Sequence, residues 1–217
     1  MRNYTAEFIG TFALVFCGTG AIIINQQSGG TITQPGIAIT FGLIIMSMIY
    51  ALGGISGAHL NPAVSIAFVI KKVFPVKQLP GYITSQLAGG LAASLVLKLL
   101  FPLNNFLGTT IPAGTEMQSF VLELIMTFFL MLVIITVADG SKEKGMFAGL
   151  AIGSVVCLEA MFGGPVSGAS MNPARSIAPA LVSGHLEHLW IYILAPVTGA
   201  AIAVPVCVYL TYKTKVS

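Results

Sequence analysis

Long apolar runs alternate with short polar segments along the whole chain. The runs lie near 5–25, 36–54, 80–101, 118–138, 146–162 and 189–211. Each is close to the roughly 20 residues that a helix needs to cross a bilayer, and none alternates with the period of two typical of a half-buried strand. Because backbone polar groups inside lipid must be paired internally, we predict six transmembrane α-helices.

Two further apolar segments are too short to cross a bilayer. They run from Asn61 to Ile70 and from Asn172 to Val182, and each begins with Asn-Pro-Ala. At about 1.5 Å per residue, each would form a helix roughly 15 Å long, about half the hydrocarbon thickness. Asparagine is a good N-cap and proline suits the first helical position. An ordinary capped helix would explain one such segment, but two at matching places predict a pair of re-entrant half-helices.

The sequence repeats itself. Residues 55–65 align with residues 166–176, and seven of the eleven positions are identical. Upstream, the segment 7–12 resembles the segment 123–128. The short apolar segments and the long ones therefore recur together, which indicates two related halves.

The halves are 1–101 and 117–217, and each contains three predicted spans. Because three is an odd number, the second half must enter the membrane from the opposite side. We therefore predict one all-α membrane domain over residues 1–217, with six transmembrane helices and two half-helices in an inverted three-plus-three repeat.

Composition agrees with a membrane protein. Hydrophobic residues make up 56% of the chain and charged residues 8%, whereas soluble domains carry about 25% charged residues. This excludes a soluble globular protein, a disordered chain and a nucleic-acid-binding surface. The three cysteines lie inside apolar runs without motif spacing, so we predict no disulfide framework, no metal site and no cofactor.

The basic residues fall mainly on one side of the predicted topology, and only Lys98 approaches the other. By the positive-inside rule, this places both termini in the cytoplasm. The residues on the cytoplasmic side are Arg2, Lys71, Lys72, Lys77, Lys142, Lys144, Lys213 and Lys215.

An inverted repeat brings the N-termini of the two half-helices together near the midplane. Each N-terminus carries roughly half a positive charge, so the pair repels cations. The amides of Asn61 and Asn172 can donate to a passing oxygen, Arg175 adds a fixed cation, and backbone carbonyls without a helix partner can accept. These carbonyls belong to Gly57, Ala58, His59, Leu60, Gly168, Ala169, Ser170 and Met171. Such a path suits small neutral molecules.

At this point the chain resembles a known family over its whole length, the aquaporin and aquaglyceroporin (major intrinsic protein) family. The resemblance rests on the boxes Asn61-Pro62-Ala63 and Asn172-Pro173-Ala174, on Arg175 directly after the second box, and on a glutamate near the start of spans one and four. It implies a passive channel, not an enzyme, in a homotetramer with one pore per subunit. The expected setting is the bilayer of the plasma membrane, with water and small neutral solutes as partners.

The resemblance also implies a constriction formed by Phe41, Ala160, Ala169 and Arg175. Water-selective members usually carry histidine where this chain has Ala160. Glycerol channels usually carry a tryptophan, a phenylalanine and a following aspartate, where this chain has Phe41, Ala169 and Ser176. The stretch 164–176 looks most like nodulin-like intrinsic proteins and their bacterial relatives, which implies passage of glycerol and of neutral arsenous, boric or silicic acid, with some water. We predict a pore wider than that of a strict water channel.

Four side chains have alternative interpretations. Glu7 and Glu123 match across the repeat and are expected to brace the re-entrant loops, although proton relay is the alternative. Glu159 has no repeat mate, and either pore tuning or a subunit contact would explain it. His59 is interpreted as a packing residue of its loop or as a pH-dependent gate.

Three alternative functions are compared with the solute channel. A strictly water-selective channel would need narrowing by residues that we have not identified. A secondary transporter shares inverted repeats and broken helices but needs alternating access. An intramembrane enzyme needs a nucleophile with a base or clustered metal ligands, and the sequence shows no such group.

Overall fold

The computed structural model describes residues 1–138 and 145–212, and most of them are helical. In chain order they are α1 (Arg2–Gln27), α2 (Thr33–Ser56), α3 (Pro62–Ile70), α4 (Leu79–Leu100), α5 (Glu116–Ala138), α6 (Ala148–Ser167), α7 (Pro173–Ser183) and α8 (Leu189–Tyr212). A short 3-10 helix, Val76–Gln78, precedes α4. The described ranges contain no β-strand.

Six of these helices are long and apolar enough to cross a membrane, and they match the six predicted spans. The largest difference is at the end of α6, which runs to Ser167, five residues beyond the predicted end. The remaining two helices, α3 and α7, have 9 and 11 residues. The predicted arrangement of six transmembrane helices with two half-helices is therefore confirmed.

The half-helices begin where the sequence places their caps. The side chain of Asn61 accepts a hydrogen bond from the Ala63 N–H at 2.9 Å, and that of Asn172 accepts one from the Ala174 N–H at 3.0 Å. The chain reaches each cap by turning out of the preceding long helix at Gly57 and Gly168, whose φ angles are 85° and 86°. Glycine adopts this left-handed conformation without steric cost, so the turn is built into the sequence.

The helices pack in matching pairs. Helix α1 packs against α4 as α5 packs against α8, while α2 and α6 pack against each other across the centre. Each half-helix packs against the last long helix of the opposite half, α3 on α8 and α7 on α4. The α1–α4 contact is close at Gly89, where an added Cβ would overlap the Phe8 carbonyl oxygen, and Gly199 has the same relation to the Leu124 carbonyl on the other side.

The outward faces of the bundle are apolar. Large side chains such as Leu43, Phe129, Leu158 and Leu194 are about half or more exposed. In water this surface would be unfavourable, whereas a bilayer solvates it without cost. The chain is therefore an integral multi-pass membrane protein.

The predicted basic side of the membrane is only partly covered by the structure. Lys142, Lys144, Lys213 and Lys215 lie outside the described residues. At the opposite side, the ammonium group of Lys98 donates to the carbonyls of Pro102 and Asn104 just beyond the C-terminus of α4, at 3.2 and 3.4 Å. A cation is favourable at a helix C-terminus, so the contacts of Lys98 with the end of α4 explain why a lysine is found on this side.

Candidate functional site

Two cavities lie inside the helix bundle. The first, which we call the box cavity, has a volume of about 340 Å³ and is lined by residues that include His59, Asn61, Asn172 and Tyr50. The second, which we call the loop cavity, has a volume of about 350 Å³ and is lined by Gln26, Gln34, Phe106, Thr109 and others. Their linings have three residues in common, which are Phe41, Ala160 and Arg175.

Arg175 is held in the first turn of α7, where it is almost fully buried. Its Nη1 donates to the Gly108 carbonyl at 2.7 Å, and its guanidinium carbon lies 5.1 Å from the centre of the Phe41 ring. Cation–π contact of this kind is favourable when the cation is desolvated. Its Nε has no hydrogen-bond partner among the described residues. The guanidinium group is therefore fixed in place with donor capacity remaining.

The carbonyl that receives Arg175 belongs to an ordered loop between α4 and α5. Asn104 Oδ1 accepts from the N–H groups of Phe106 and Leu107 at 3.1 and 2.7 Å, and Asn104 Nδ2 donates to Gln26 at 3.0 Å. These bonds fix the approach to Gly108. The orientation of the arginine thus depends on a loop far from it in sequence.

All four predicted constriction residues line the box cavity, but Ala169 does not line the loop cavity. Ala169 is buried and lines the box cavity, whereas its neighbour Gly168 lines the loop cavity. Ser176, which follows the arginine, lines neither; its hydroxyl lies 2.8 Å from Thr110 Oγ1 and 2.6 Å from Ser170 Oγ. It lies in a buried hydroxyl cluster behind the loop.

The two Asn-Pro-Ala boxes bond to each other. Asn61 Nδ2 donates to the Met171 carbonyl at 2.8 Å, and Asn172 Nδ2 donates to the Leu60 carbonyl at 2.8 Å. The N-termini of α3 and α7 therefore adjoin. Each amide has two donors, so one remains on each asparagine. The prolines and alanines of the boxes, Pro62, Ala63, Pro173 and Ala174, are buried and line neither cavity.

Two of the eight carbonyls predicted to line the path accept hydrogen bonds from the opposite box. The carbonyls of Leu60 and Met171 accept the crosswise bonds just described, because each lies opposite the amide of the other box. Leu60 lines neither cavity. The other residues of the set do: Gly57, Ala58, His59, Ala169, Ser170 and Met171 line the box cavity, and Gly168 lines the loop cavity.

The loops before the boxes have a strained backbone. Ala58 and Leu60 have φ angles of 47° and 52°, and their repeat mates Ala169 and Met171 have φ angles of 43° and 53°. Left-handed residues other than glycine are uncommon and unfavourable, so surrounding contacts must hold them.

Fully buried glutamates bind the N–H groups of these loops. Glu7 accepts from the N–H groups of His59 and Leu60 at 2.9 and 2.7 Å, from Ser56 Oγ at 2.7 Å and from Gln86 Nε2 at 2.8 Å. All four contacts are with donors, so a carboxylate is fully satisfied here.

Glu123 has the equivalent place in the second half. It accepts from the N–H groups of Ser170 and Met171, each at 2.8 Å, and from Ser167 Oγ at 2.7 Å. The Ser170 N–H also lies 3.1 Å from the second carboxylate oxygen. Glu123 thus has three donor groups where Glu7 has four.

His59 and Glu159 occupy different environments. The His59 ring packs between Phe68, Phe74 and Tyr82, with centroids 4.8 to 5.0 Å apart, and its Nδ1 lies 3.0 Å from Ser65 Oγ. Glu159 is buried in α6, and its Oε2 has no hydrogen-bond partner within the described part of the chain.

Sequence reasoning missed two glutamines in this region. Gln86 donates to Glu7 and to Ser65, and Gln34 donates to the Ala160 carbonyl at 2.8 Å. Gln34 directly precedes Pro35-Gly36, just before the predicted span 36–54. For Gln34 the useful signal was a polar side chain at the start of an apolar span, and for Gln86 it was a polar side chain inside one.

Comparisons with known proteins agree on one family. The model of the family described as "Major intrinsic protein" matches residues 1–209. Aquaporin NIP3-1 from Arabidopsis thaliana is 49% identical over 209 residues, covering 92% of this chain and 64% of the relative. Nodulin-26 from Glycine max is 48% identical over 202 residues, covering 92% and 74%. The X-ray structure of the aquaglyceroporin from Plasmodium falciparum superposes with a TM-score of 0.83 and 28% identity, over 94% of this chain and 93% of that one.

Proposed function

The chain belongs to the major intrinsic protein family, and from this premise we propose that it is a passive channel for water and small uncharged solutes. The observation that carries the proposal is the pair of cavities whose linings share Phe41, Ala160 and Arg175. A path through the bundle therefore has its narrow point at these side chains. Together with Ala169, which lines the box cavity, they form the proposed constriction.

The constriction suits solutes larger than water. Two of its four side chains are methyl groups, from Ala160 and Ala169, so the wall is set mainly by the Phe41 ring and the guanidinium of Arg175. The ring offers an apolar surface for carbon atoms, and the guanidinium offers donors for hydroxyl oxygens. Glycerol-like polyols and neutral metalloid hydroxides fit this combination, and the solved aquaglyceroporin supports it.

Ion and proton exclusion follows from charge. The adjoining N-termini of α3 and α7 place two positive helix ends at the box cavity, and Arg175 adds a full positive charge at the constriction. A cation that enters the path would have to lose its hydration shell while these positive charges repel it. The remaining amide donors of Asn61 and Asn172 orient a passing oxygen, while Glu7 and Glu123 brace the loops that carry the carbonyls.

A fixed channel fits the contacts better than alternating access does. The crosswise bonds of the two boxes and the glutamate bonds hold both loops in one conformation. A secondary transporter would have to break these contacts in every cycle. The site needs no cofactor and no metal for passive passage.

Assembly and orientation complete the proposal. The halves 1–101 and 117–217 form one channel domain, and four such chains form a homotetramer in the plasma membrane. Arg2 at the start of α1 and Lys71-Lys72 after α3 support cytoplasmic termini by the positive-inside rule.

Stopped-flow light scattering on proteoliposomes tests the function. Water efflux and glycerol uptake are measured in one preparation, against protein-free vesicles. Fast glycerol uptake that equilibrates without accumulation supports a solute channel, and arsenous and boric acids are then tested. Fast water efflux without glycerol uptake would favour the strictly water-selective alternative, and accumulation of solute against a gradient would favour a transporter.

A further inference from the structure

Gln34 lies at the entrance of the proposed constriction on the side of the loop cavity. It belongs to the first turn of α2, and Phe41 follows seven residues later, which is two helical turns along the same face. Both side chains line the loop cavity together with Ala160 and Arg175. Gln34 is therefore a polar residue of α2 that lines the same cavity as the three shared residues.

The amide nitrogen of Gln34 is hydrogen-bonded to a residue of the proposed constriction. Its Nε2 donates to the carbonyl oxygen of Ala160 at 2.8 Å. A carbonyl has two lone pairs, so this oxygen can accept from Gln34 in addition to its helical partner. The bond connects the start of α2 to the last turns of α6.

The side chain fits because of Gly164. A Cβ atom at this position would overlap Gln34 Nε2 and approach the amide carbon within 3.2 Å. Glycine thus leaves a hollow on α6, one turn beyond Ala160, and the carboxamide of Gln34 lies in it. Here the loop cavity is lined by the methyl group of Ala160 together with the carboxamide of Gln34.

This bond also fixes which way the amide points. Because an amide oxygen cannot donate to a carbonyl, the nitrogen must face Ala160 and the oxygen must face away from it. The described residues provide no hydrogen bond to Gln34 Oε1. The lining of the loop cavity therefore combines the acceptor of Gln34 with the donors of Arg175.

We propose that Gln34 is a further specificity-determining residue of the constriction, which accepts a hydrogen bond from a hydroxyl group of the entering solute. The ligand class is small neutral molecules with several hydroxyl groups, since they need an acceptor for their O–H groups and donors for their oxygens. The inference rests on the proposed function, because it concerns the same path.

The test compares Gln34→Met, which keeps the length of the side chain and removes its polar head, with wild type in proteoliposomes. We expect the ratio of glycerol flux to water flux to fall about five-fold, the size of one neutral hydrogen bond. The matched control is Gln27→Met, the same change at the exposed end of α1, which lines neither cavity. It should leave the ratio unchanged.

Each result decides the matter. An unchanged ratio in Gln34→Met would overturn the inference, and so would an equal fall of both fluxes, because Gln34 would then support the pore only as a structural contact. A wild-type protein that passes water but no glycerol would contradict the proposed solute range itself. A wild type that passes glycerol, with no effect of Gln34→Met, would contradict this inference alone.

Discussion

The two buried glutamates match across the repeat, but their contacts predict unequal responses to the same substitution. In Glu7, each carboxylate oxygen faces one backbone N–H group, that of His59 or that of Leu60. A glutamine there must turn its NH₂ group towards one of them. Ser56 and Gln86 can rotate to accept from the new amide, and Gln86 Oε1 has no partner at present in the described structure. A backbone N–H group cannot accept a hydrogen bond, so the N–H of either His59 or Leu60 stays unsatisfied.

Glu123 differs because its Ser170 N–H reaches both oxygens, at 2.8 and 3.1 Å. In Glu123→Gln the remaining oxygen can accept from Ser170 and from Met171, while the Ser167 hydroxyl rotates to accept from the NH₂ group. No backbone donor is lost. The unsatisfied backbone N–H therefore arises only in Glu7→Gln, where it costs about 1–3 kcal/mol.

We therefore expect Glu7→Gln to be less stable than Glu123→Gln by about 2 kcal/mol, or roughly 4–8 °C in Tm for a chain of this length. Thermal unfolding of the purified variants in one detergent measures this. Glu116→Gln is the control, since that carboxylate is exposed and pairs with His188 at the surface. Equal Tm values for Glu7→Gln and Glu123→Gln would refute the reasoning.

Three further substitutions test the path and the packing. Arg175→Ala should admit ions or larger solutes, because the fixed charge at the constriction is removed; unchanged conductance and solute range in proteoliposomes would contradict its role. Ala160→His should reduce glycerol uptake more than water efflux, since the imidazole fills the space beside the shared lining, and undiminished glycerol flux would place Ala160 away from the narrow point. Gly89→Ala should destabilise the protein by about 1–3 kcal/mol, because the new methyl overlaps the Phe8 carbonyl, whereas Gly53→Ala, which meets nothing within 4 Å, should change Tm little.

Much of the fold was predictable because membrane helices are limited by few rules. Span length and internal pairing of the backbone identify the six long helices, and the Asn-Pro-Ala caps identify the two short ones. The end of α6 was predicted too early because Gly163, Gly164 and Pro165 resemble a stop signal. In the structure the two glycines instead allow close approach, by Met126 at one and by Gln34 at the other, and the helix continues past the proline to Ser167.

The details of the site depend on contacts between distant segments, which no local pattern specifies. The crosswise bonds between Asn61 and Asn172 require both boxes to be in place at once. The bond from Gln34 to Ala160 joins residues 126 positions apart. Residue types at repeated spacings therefore revealed which side chains matter, whereas their partners became visible only from the three-dimensional arrangement.

The crosswise bonds also determine the order in which the molecule can be completed. Until Asn172 has been made, the Leu60 carbonyl has no amide to accept from, and Asn61 has no Met171 carbonyl to bind. At that stage, half-helix α3 also has no α8 to pack against. Because synthesis proceeds from the N-terminus, the first half is made before the residues of the second half that its re-entrant loop contacts. The bonds at the centre therefore cannot form before the second box has been made, and a chain truncated before it lacks Arg175, which lines both cavities.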